Sequence, residues 1–274
     1  MAKSLDPKLF TSPHSLLPLV EESPQLWVDS SGMKFPVLAG VPLLTPNGRL
    51  ALADLKSRAL SLLAHYERNI ADLKSALKAS DLLDVTTARL AKTREIQIHH
   101  LEFLKDLFQP LKLNSKTSAS PDADFGYRLP PGQGLQGYFP NLVRDWSSKH
   151  GENEAQLALV RRELGDSSLG VCVFVGSGGG RLAYDVHQLG QSTHTICCDI
   201  GLVFSLAAAR LSKGETLKVA EFPIAPKDAA SAPGAIRDCK APAPAREGLS
   251  HVLADVYHLP FADHSVDTVI TPWL

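Results

Sequence analysis

The stretch Val171–Asp199, VCVFVGSGGGRLAYDVHQLGQSTHTICCD, limits most sharply what this chain can fold into. It opens with an apolar run, Val171 to Val175, short and β-branched enough for a buried parallel strand. Gly176-Ser177-Gly178-Gly179-Gly180 then forces a turn. From about Arg181 to Leu189, Leu182, Val186 and Leu189 share one helical face, and Gly190 supplies the stop. A second apolar run, Thr195 to Cys198, ends in Asp199. The spacing predicts a strand–loop–helix–strand unit of nucleotide-binding type.

The residue types fit that chemistry. Backbone without Cβ atoms approaches a ligand closely and accepts φ > 0. Amides at the start of the helix offer donors and partial positive charge. Asp199 follows the turn by about twenty residues, where an acid can accept from both hydroxyls of a ribose. The same glycines also read as a tight connection and nothing more. Gly179 reads as filler, because the spacing that matters is Gly-x-Gly-x-Gly at Gly176, Gly178 and Gly180.

With 274 residues the chain can form one large domain or two modest ones. Its net charge of -1 gives no electrostatic case for nucleic acid. No apolar run has membrane-spanning length, and MAKSLDPKLF lacks the apolar centre of a signal peptide, so a cytoplasmic protein without a membrane partner is expected. Cys172, Cys197, Cys198 and Cys239 fit neither a zinc spacing nor a disulfide framework and read as buried thiols in a reducing compartment.

Four segments are expected: 1–48, a small β-hairpin module; 49–112, a helical hairpin; 113–124, a polar linker; and 125–274, the α/β domain. In the first, Trp27-Val28 and Lys34 to Leu38 flank the turn Asp29-Ser30-Ser31-Gly32, and Gly40 to Leu44 continue the pattern. In the second, apolar residues from Leu52 to Leu77 and from Leu90 to Leu107 recur at helical spacing, with Asp81 and Asp84 as candidate caps at the break. His99 and His100 point about 100° apart on a helix and read as surface or half-buried side chains. A further helix is expected from Glu152 to about Leu164, and one from Gly201 to Arg210. Residues 219–248, with Pro223, Pro226, Pro233, Pro242 and Pro244, read as a long loop, either a lid or a surface insertion. Residues 251–256 and 266–272 read as third and fourth strands.

Three resemblances follow. The Gly-x-Gly-x-Gly loop resembles that of S-adenosylmethionine-dependent methyltransferases. The turn followed by FPVLAGVPLL resembles the small β-module of Trm112-like proteins, which accompany methyltransferases, without their zinc-binding cysteines. LVRDWS, a helix, then VFVGSGGGRLAYDV is similar in order and spacing to the carnosine N-methyltransferase family, over roughly residues 138–274. That likeness implies a Rossmann-like methyltransferase sheet, incomplete, with about strands 1–4 present. It implies S-adenosyl-L-methionine as cofactor and methylation of an imidazole-type or other nitrogen on a small molecule or peptide.

Residue by residue, the family's Arg-Asp-Trp element folds over the cofactor, and Arg144 would reach its methionine carboxylate. Asn141 stands where the family has a glutamine, and Asp199 where it has a glutamate. Gly176, Gly178, Gly180, Arg181 and Ile200 belong to the loop and the second strand tip. Asp255 would accept from the adenine amine, Val256 would meet the ring, and Pro272 would sit at the reaction mouth beside Thr271 and Trp273. An arginine suits a carboxylate because its planar fork binds bidentately. Arg144-Asp145 also reads as a local ion pair, Trp146 as a core aromatic, and Arg181 as a structural cap of the loop. Asp263 and Asp267 read as turn residues; His258 and His264 are the available base candidates.

The sequence stops at the fourth strand, so an N-terminal fragment with an exposed parallel edge is expected. Two other readings stand beside the methyltransferase: a non-catalytic cofactor-binding or scaffold protein docking a partner through residues 1–112, and a nicotinamide-dependent oxidoreductase, which the glycine spacing disfavours.

Overall fold

A computed structural model describes residues 5–113, 134–137, 139–147, 151–223 and 225–272. The protein is α/β, with a mixed sheet and six α-helices among the described residues. The first four strands, β1 (Leu19–Ser23), β2 (Leu26–Asp29), β3 (Lys34–Leu38) and β4 (Val41–Leu44), form an antiparallel meander. Helices α1 (Gly48–Ala76) and α2 (Asp84–Leu107) follow as a hairpin, then α3 (Phe139–Ser147) and α4 (Glu152–Leu164). The rest alternates: β5 (Gly170–Val175), α5 (Arg181–Gln188), β6 (Ser192–Asp199), α6 (Leu202–Leu211), β7 (Thr216–Glu221), β8 (Ala235–Lys240), β9 (Leu249–Ala254) and β10 (Thr268–Ile270).

Eight strands make one sheet in the order β1-β2-β3-β4-β9-β6-β5-β10. From β4 to β10 every pairing is parallel. The order runs outward from β5 through β6 to β9, then returns to place β10 on the other side of β5. A topological switch point therefore lies between β5 and β10, and such a point opens a crevice at the carboxyl ends of the strands.

Alternation along the buried strands builds two cores. Val173, Val175, Ile196, Cys198, Val252 and Ala254 pack with Phe10, Trp27 and Phe35 of the N-terminal segment. Cys172, Phe174 and Cys197 face the other way, onto Ala183 and Val186 of α5. The connection from β9 to β10 crosses the first face with Leu259, Phe261 and Val266 against it, and Phe10 stacks near Phe261 at 5.5 Å.

Several expectations change in the structure. The N-terminal strands are not a separate module in their hydrogen bonding: β4 pairs parallel with β9 through Leu43–Leu253 and Leu44–Ala254, so the meander extends the main sheet. The cap of α2 is Leu83, with no side-chain cap bond; Asp84 is instead the first helical residue, where its charge favours the helix dipole. Residues 219–248 are not one loop. They take in most of the β7–β8 hairpin, in register from Thr216–Lys240 to Glu221–Ala235. The prolines lie in its connection and beyond β8, while Leu217, Val219 and Cys239 are buried in the helical core. All four cysteines are buried thiols, and burial pushes Cys172 up to about 11 and Cys239 up to about 12, so they stay protonated and poorly nucleophilic at neutral pH. His100 is fully buried, not half-exposed. The linker 113–124 lies outside the described residues from 114 onward, as does Trp273.

Candidate functional site

The crevice at the switch point is a cleft of about 430 Å³, within the usual range for small-molecule sites. The tips of β5 and β6, the glycine turn, the start of α5, helix α3, the first turns of α4 and Pro272 beyond β10 line it. Of the residues singled out in the sequence, Asn141, Arg144, Gly176, Gly178, Arg181, Asp199, Ile200 and Pro272 meet there.

Asp199 ties the loop together. Its Oδ2 accepts the Gly178 N–H at 2.6 Å and its Oδ1 the Gly201 N–H at 2.7 Å. A carboxylate has about four acceptor positions, and the backbone N–H of Ile200 bonds it as well, so these amides take most of them and leave about one. Burial pushes its carboxyl above the ordinary carboxylate range, against the stabilising N–H groups of Gly201, Gly178 and Ile200.

The glycines divide by duty. Gly178 has φ +53° and nothing within 4 Å of where a Cβ would stand; that open space belongs to the cleft. Gly180, at φ +74°, does not line the cleft; its Cβ would stand 3.1 Å from the His251 ring and 3.3 Å from Ala208. Gly179 is not filler. A Cβ there would stand 3.1 Å from the Asp145 carboxylate and 3.4 Å from the Trp146 indole nitrogen, which donates to the Gly179 carbonyl at 2.8 Å. Gly180→Ala is accordingly expected to cost about 2 kcal/mol of stability and Gly178→Ala about 1 kcal/mol, the difference being the crowding on His251. Urea denaturation curves of the two variants check this; equal midpoints would contradict it.

Helix α3 brings the Arg-Asp-Trp residues to the loop. Arg144 donates through Nε and Nη2 to Asp145 Oδ1 at 2.8 and 2.7 Å, and its Nε lies 3.6 Å from Glu152. The ion pair is therefore formed, and Nη1 makes no hydrogen bond among the described residues. Burial nonetheless raises the Asp145 carboxyl, opposed by Arg144 and Arg181. Arg181 is committed to structure: its Nε donates to Asp185 at 3.1 and 2.9 Å, its Nη1 to the Asp145 carbonyl at 2.9 Å, and its guanidinium lies 5.5 Å over the Trp146 ring.

Asp255 and Val256 are not among the residues lining the cleft. The Asp255 carboxylate turns back to accept the Tyr257 N–H at 3.0 Å, as a short-range cap, and Val256 is solvent-exposed in the following turn. His258 and His264 do not line the cleft either. Asp267 does not serve a turn: just ahead of β10, its carboxylate accepts the Val171 N–H of the neighbouring strand β5 at 2.7 Å.

The cleft also takes side chains that the sequence did not single out. Asn153 and Gln156, three residues apart on α4, present two amides to it, and Asn153 also donates to the Asp145 carbonyl at 2.9 Å. Their spacing marks one helical face, but only the docking of α4 turns that face toward the glycine turn. Phe204 of α6 adds an aromatic wall. Among the described residues no three His, Cys, Asp or Glu side chains gather as a metal-binding group, and no helix is long and apolar enough to cross a membrane. Compared with protein-family models and with curated proteins, the chain matches none.

Proposed function

We propose that the chain binds S-adenosyl-L-methionine through a Rossmann-like methyltransferase fold and serves methylation of a nitrogen on a small molecule or peptide, an imidazole-type nitrogen by the sequence likeness. The observation that carries the reading is Asp199 at the tip of the second parallel strand, hydrogen-bonded into a Gly-x-Gly-x-Gly turn, with Arg144 in the same cleft. Taken in sequence order, the strands β5, β6, β9 and β10 lie 3-2-1-4 across the sheet, which puts that turn beside the switch point.

The residues fit the cofactor. The acceptor capacity that Asp199 keeps beside these amides suits a ribose hydroxyl, and Gly178 leaves a cradle that a Cβ would fill. The Nη1 edge of Arg144, with the amides of Asn141, Asn153 and Gln156 lining the same cleft, suits an amino-acid head group. When bound, S-adenosyl-L-methionine supplies a methyl group on an electrophilic sulfonium. The protein's part is then to orient: Asp199 and the turn amides hold one end, Arg144 the other, and Pro272 borders the mouth where an acceptor nitrogen would enter.

Calorimetric titration with S-adenosylhomocysteine, beside NAD, tests the reading. Saturable binding of S-adenosylhomocysteine alone is the expected result. Binding of NAD in its place, or of neither, would overturn it.

A further inference from the structure

A second cleft lies on the other side of α3. It measures about 150 Å³, and Tyr66 of α1, Phe139, Pro140 and Val143 of α3, Gln136, and Ala220, Glu221 and Phe222 at the end of β7 line it. Phe139, Pro140 and Val143 occupy one face of α3, while Asn141, Arg144 and Asp145 occupy the face that lines the larger cleft.

Three of its walls are aromatic, and all three meet a fourth ring. The His100 imidazole has Tyr66 at 4.8 Å, Phe139 at 5.0 Å and Phe222 at 5.3 Å, inclined to it by 60°, 82° and 84°. The rings thus stand steeply to the imidazole plane rather than stacking on it. A polar chain ties two of these rings together: the Tyr66 hydroxyl donates to Gln136 Oε1 at 2.9 Å, and the Gln136 amide nitrogen meets His100 Nε2. Burial, with His99 nearby, holds His100 down to about 4, so the imidazole is neutral at physiological pH. The charged residue in the lining is Glu221, and no lysine or arginine is among the described lining residues. Arg237 pairs with Glu221 through Oε2 at 2.6 Å, and Oε1 has no hydrogen-bond partner among the described residues.

We propose that this cleft is an aromatic cage for an alkylated ammonium group, a site separate from the Asp199 cleft. The aromatic walls Tyr66, Phe139 and Phe222 would draw a soft, weakly hydrated cation through their π systems, and the Glu221 carboxylate would share its charge between that cation and Arg237 at the rim. The volume suits a head group of about one ring's size; an engineered cavity of about 150 Å³ in another protein holds benzene. The proposal does not depend on the cofactor reading, because its residues are distinct from those that line the larger cleft.

The test titrates tetramethylammonium, and tert-butanol as a neutral probe of similar shape, into the full chain, following NMR shifts of the Val143 methyl groups. Saturable binding of the cation with a Kd of about 1 mM, and roughly tenfold weaker binding of the alcohol, is the expected result. Phe222→Leu, which keeps an apolar wall and removes the π face, and Glu221→Gln should each weaken the cation at least severalfold and leave the alcohol unchanged. Asp199→Ala should leave both probes unchanged. No saturation, equal binding of cation and alcohol, or loss through Asp199→Ala alone would overturn the proposal. The half-buried Phe222 and the surface Glu221 provide two independent variants, so misfolding of one leaves the other decisive.

Discussion

Asp199→Ala is expected to lower affinity for S-adenosylhomocysteine by roughly a hundredfold or more, the equivalent of about 3 kcal/mol or more for a lost charge-assisted hydrogen bond together with a loosened turn. The effect has two sources. On the proposed reading, the acceptor capacity left beside the Gly178, Gly201 and Ile200 amides receives a ribose hydroxyl. Removing the side chain also strips those amides of their partner, which loosens the turn that forms the cleft wall. Asp199→Asn separates the sources: its single oxygen can keep one amide anchored, while its NH2 group opposes the others. A graded loss, asparagine between wild type and alanine, is expected by calorimetry. Because burial raises the Asp199 carboxyl, binding should also weaken with acidification at a pH above the ordinary carboxylate range. Wild-type affinity in Asp199→Ala, with unchanged thermal unfolding, would remove Asp199 from the site.

Acidification should also destabilise the fold itself, by several kcal/mol between neutral pH and about pH 4. Burial is the main cause that holds His251 and His100 down to about 4, against an ordinary value of 6.5; Lys213 adds to it for His251 and His99 for His100. His187 and His194 are lowered too, chiefly by burial. A histidine whose folded value is depressed is neutral in the fold, and the unfolded chain takes up the proton first. Its contribution is complete above 6.5 and is lost as pH falls from there to about 4, roughly 3 kcal/mol for each of the two strongest cases. Asp145, Asp185 and Asp199, raised by burial, act with the opposite sign and offset part of this at the acid end.

The measurement is the urea midpoint at pH values from 7.5 to 4.5, beside His251→Gln. His251 bonds Ser212 at 3.1 Å, a contact that an amide can replace without titrating. The variant should show a shallower dependence by up to one proton, about 1.4 kcal/mol per pH unit. A wild-type midpoint that does not move between pH 7 and 5 would contradict the assignment of neutral buried imidazoles.

The β5–turn–α5–β6 unit was legible because its information is local: a β-branched run, a glycine turn and a helical face lie within thirty residues and set their own geometry. The two long helices were legible through their period. The β7–β8 hairpin was misread because its prolines dominate the composition, although they lie in its connection and beyond its second strand, where a missing N–H costs nothing. Helix α3 escaped because it is only nine residues long and follows a glycine- and proline-rich stretch, although its apolar and polar residues do fall on separate helical faces. Asn153 and Gln156 could not be singled out, since a polar face on a helix ordinarily faces water. Asp255 was placed by analogy at a ligand, but its side chain finds a nearer donor in its own turn.

By itself, then, the sequence determined the α/β class, the glycine turn and the acid that follows it, because each depends on neighbours within a few turns of chain. Tertiary structure alone decided which of those groups meet. It set β4 beside β9, although the two are about 200 residues apart in the chain. It folded α3 over the turn so that Trp146 grips the Gly179 carbonyl, and it enclosed His100 in a ring of aromatics drawn from three elements. Those pairings are fixed by long-range burial and shape, and no window of sequence contains both partners.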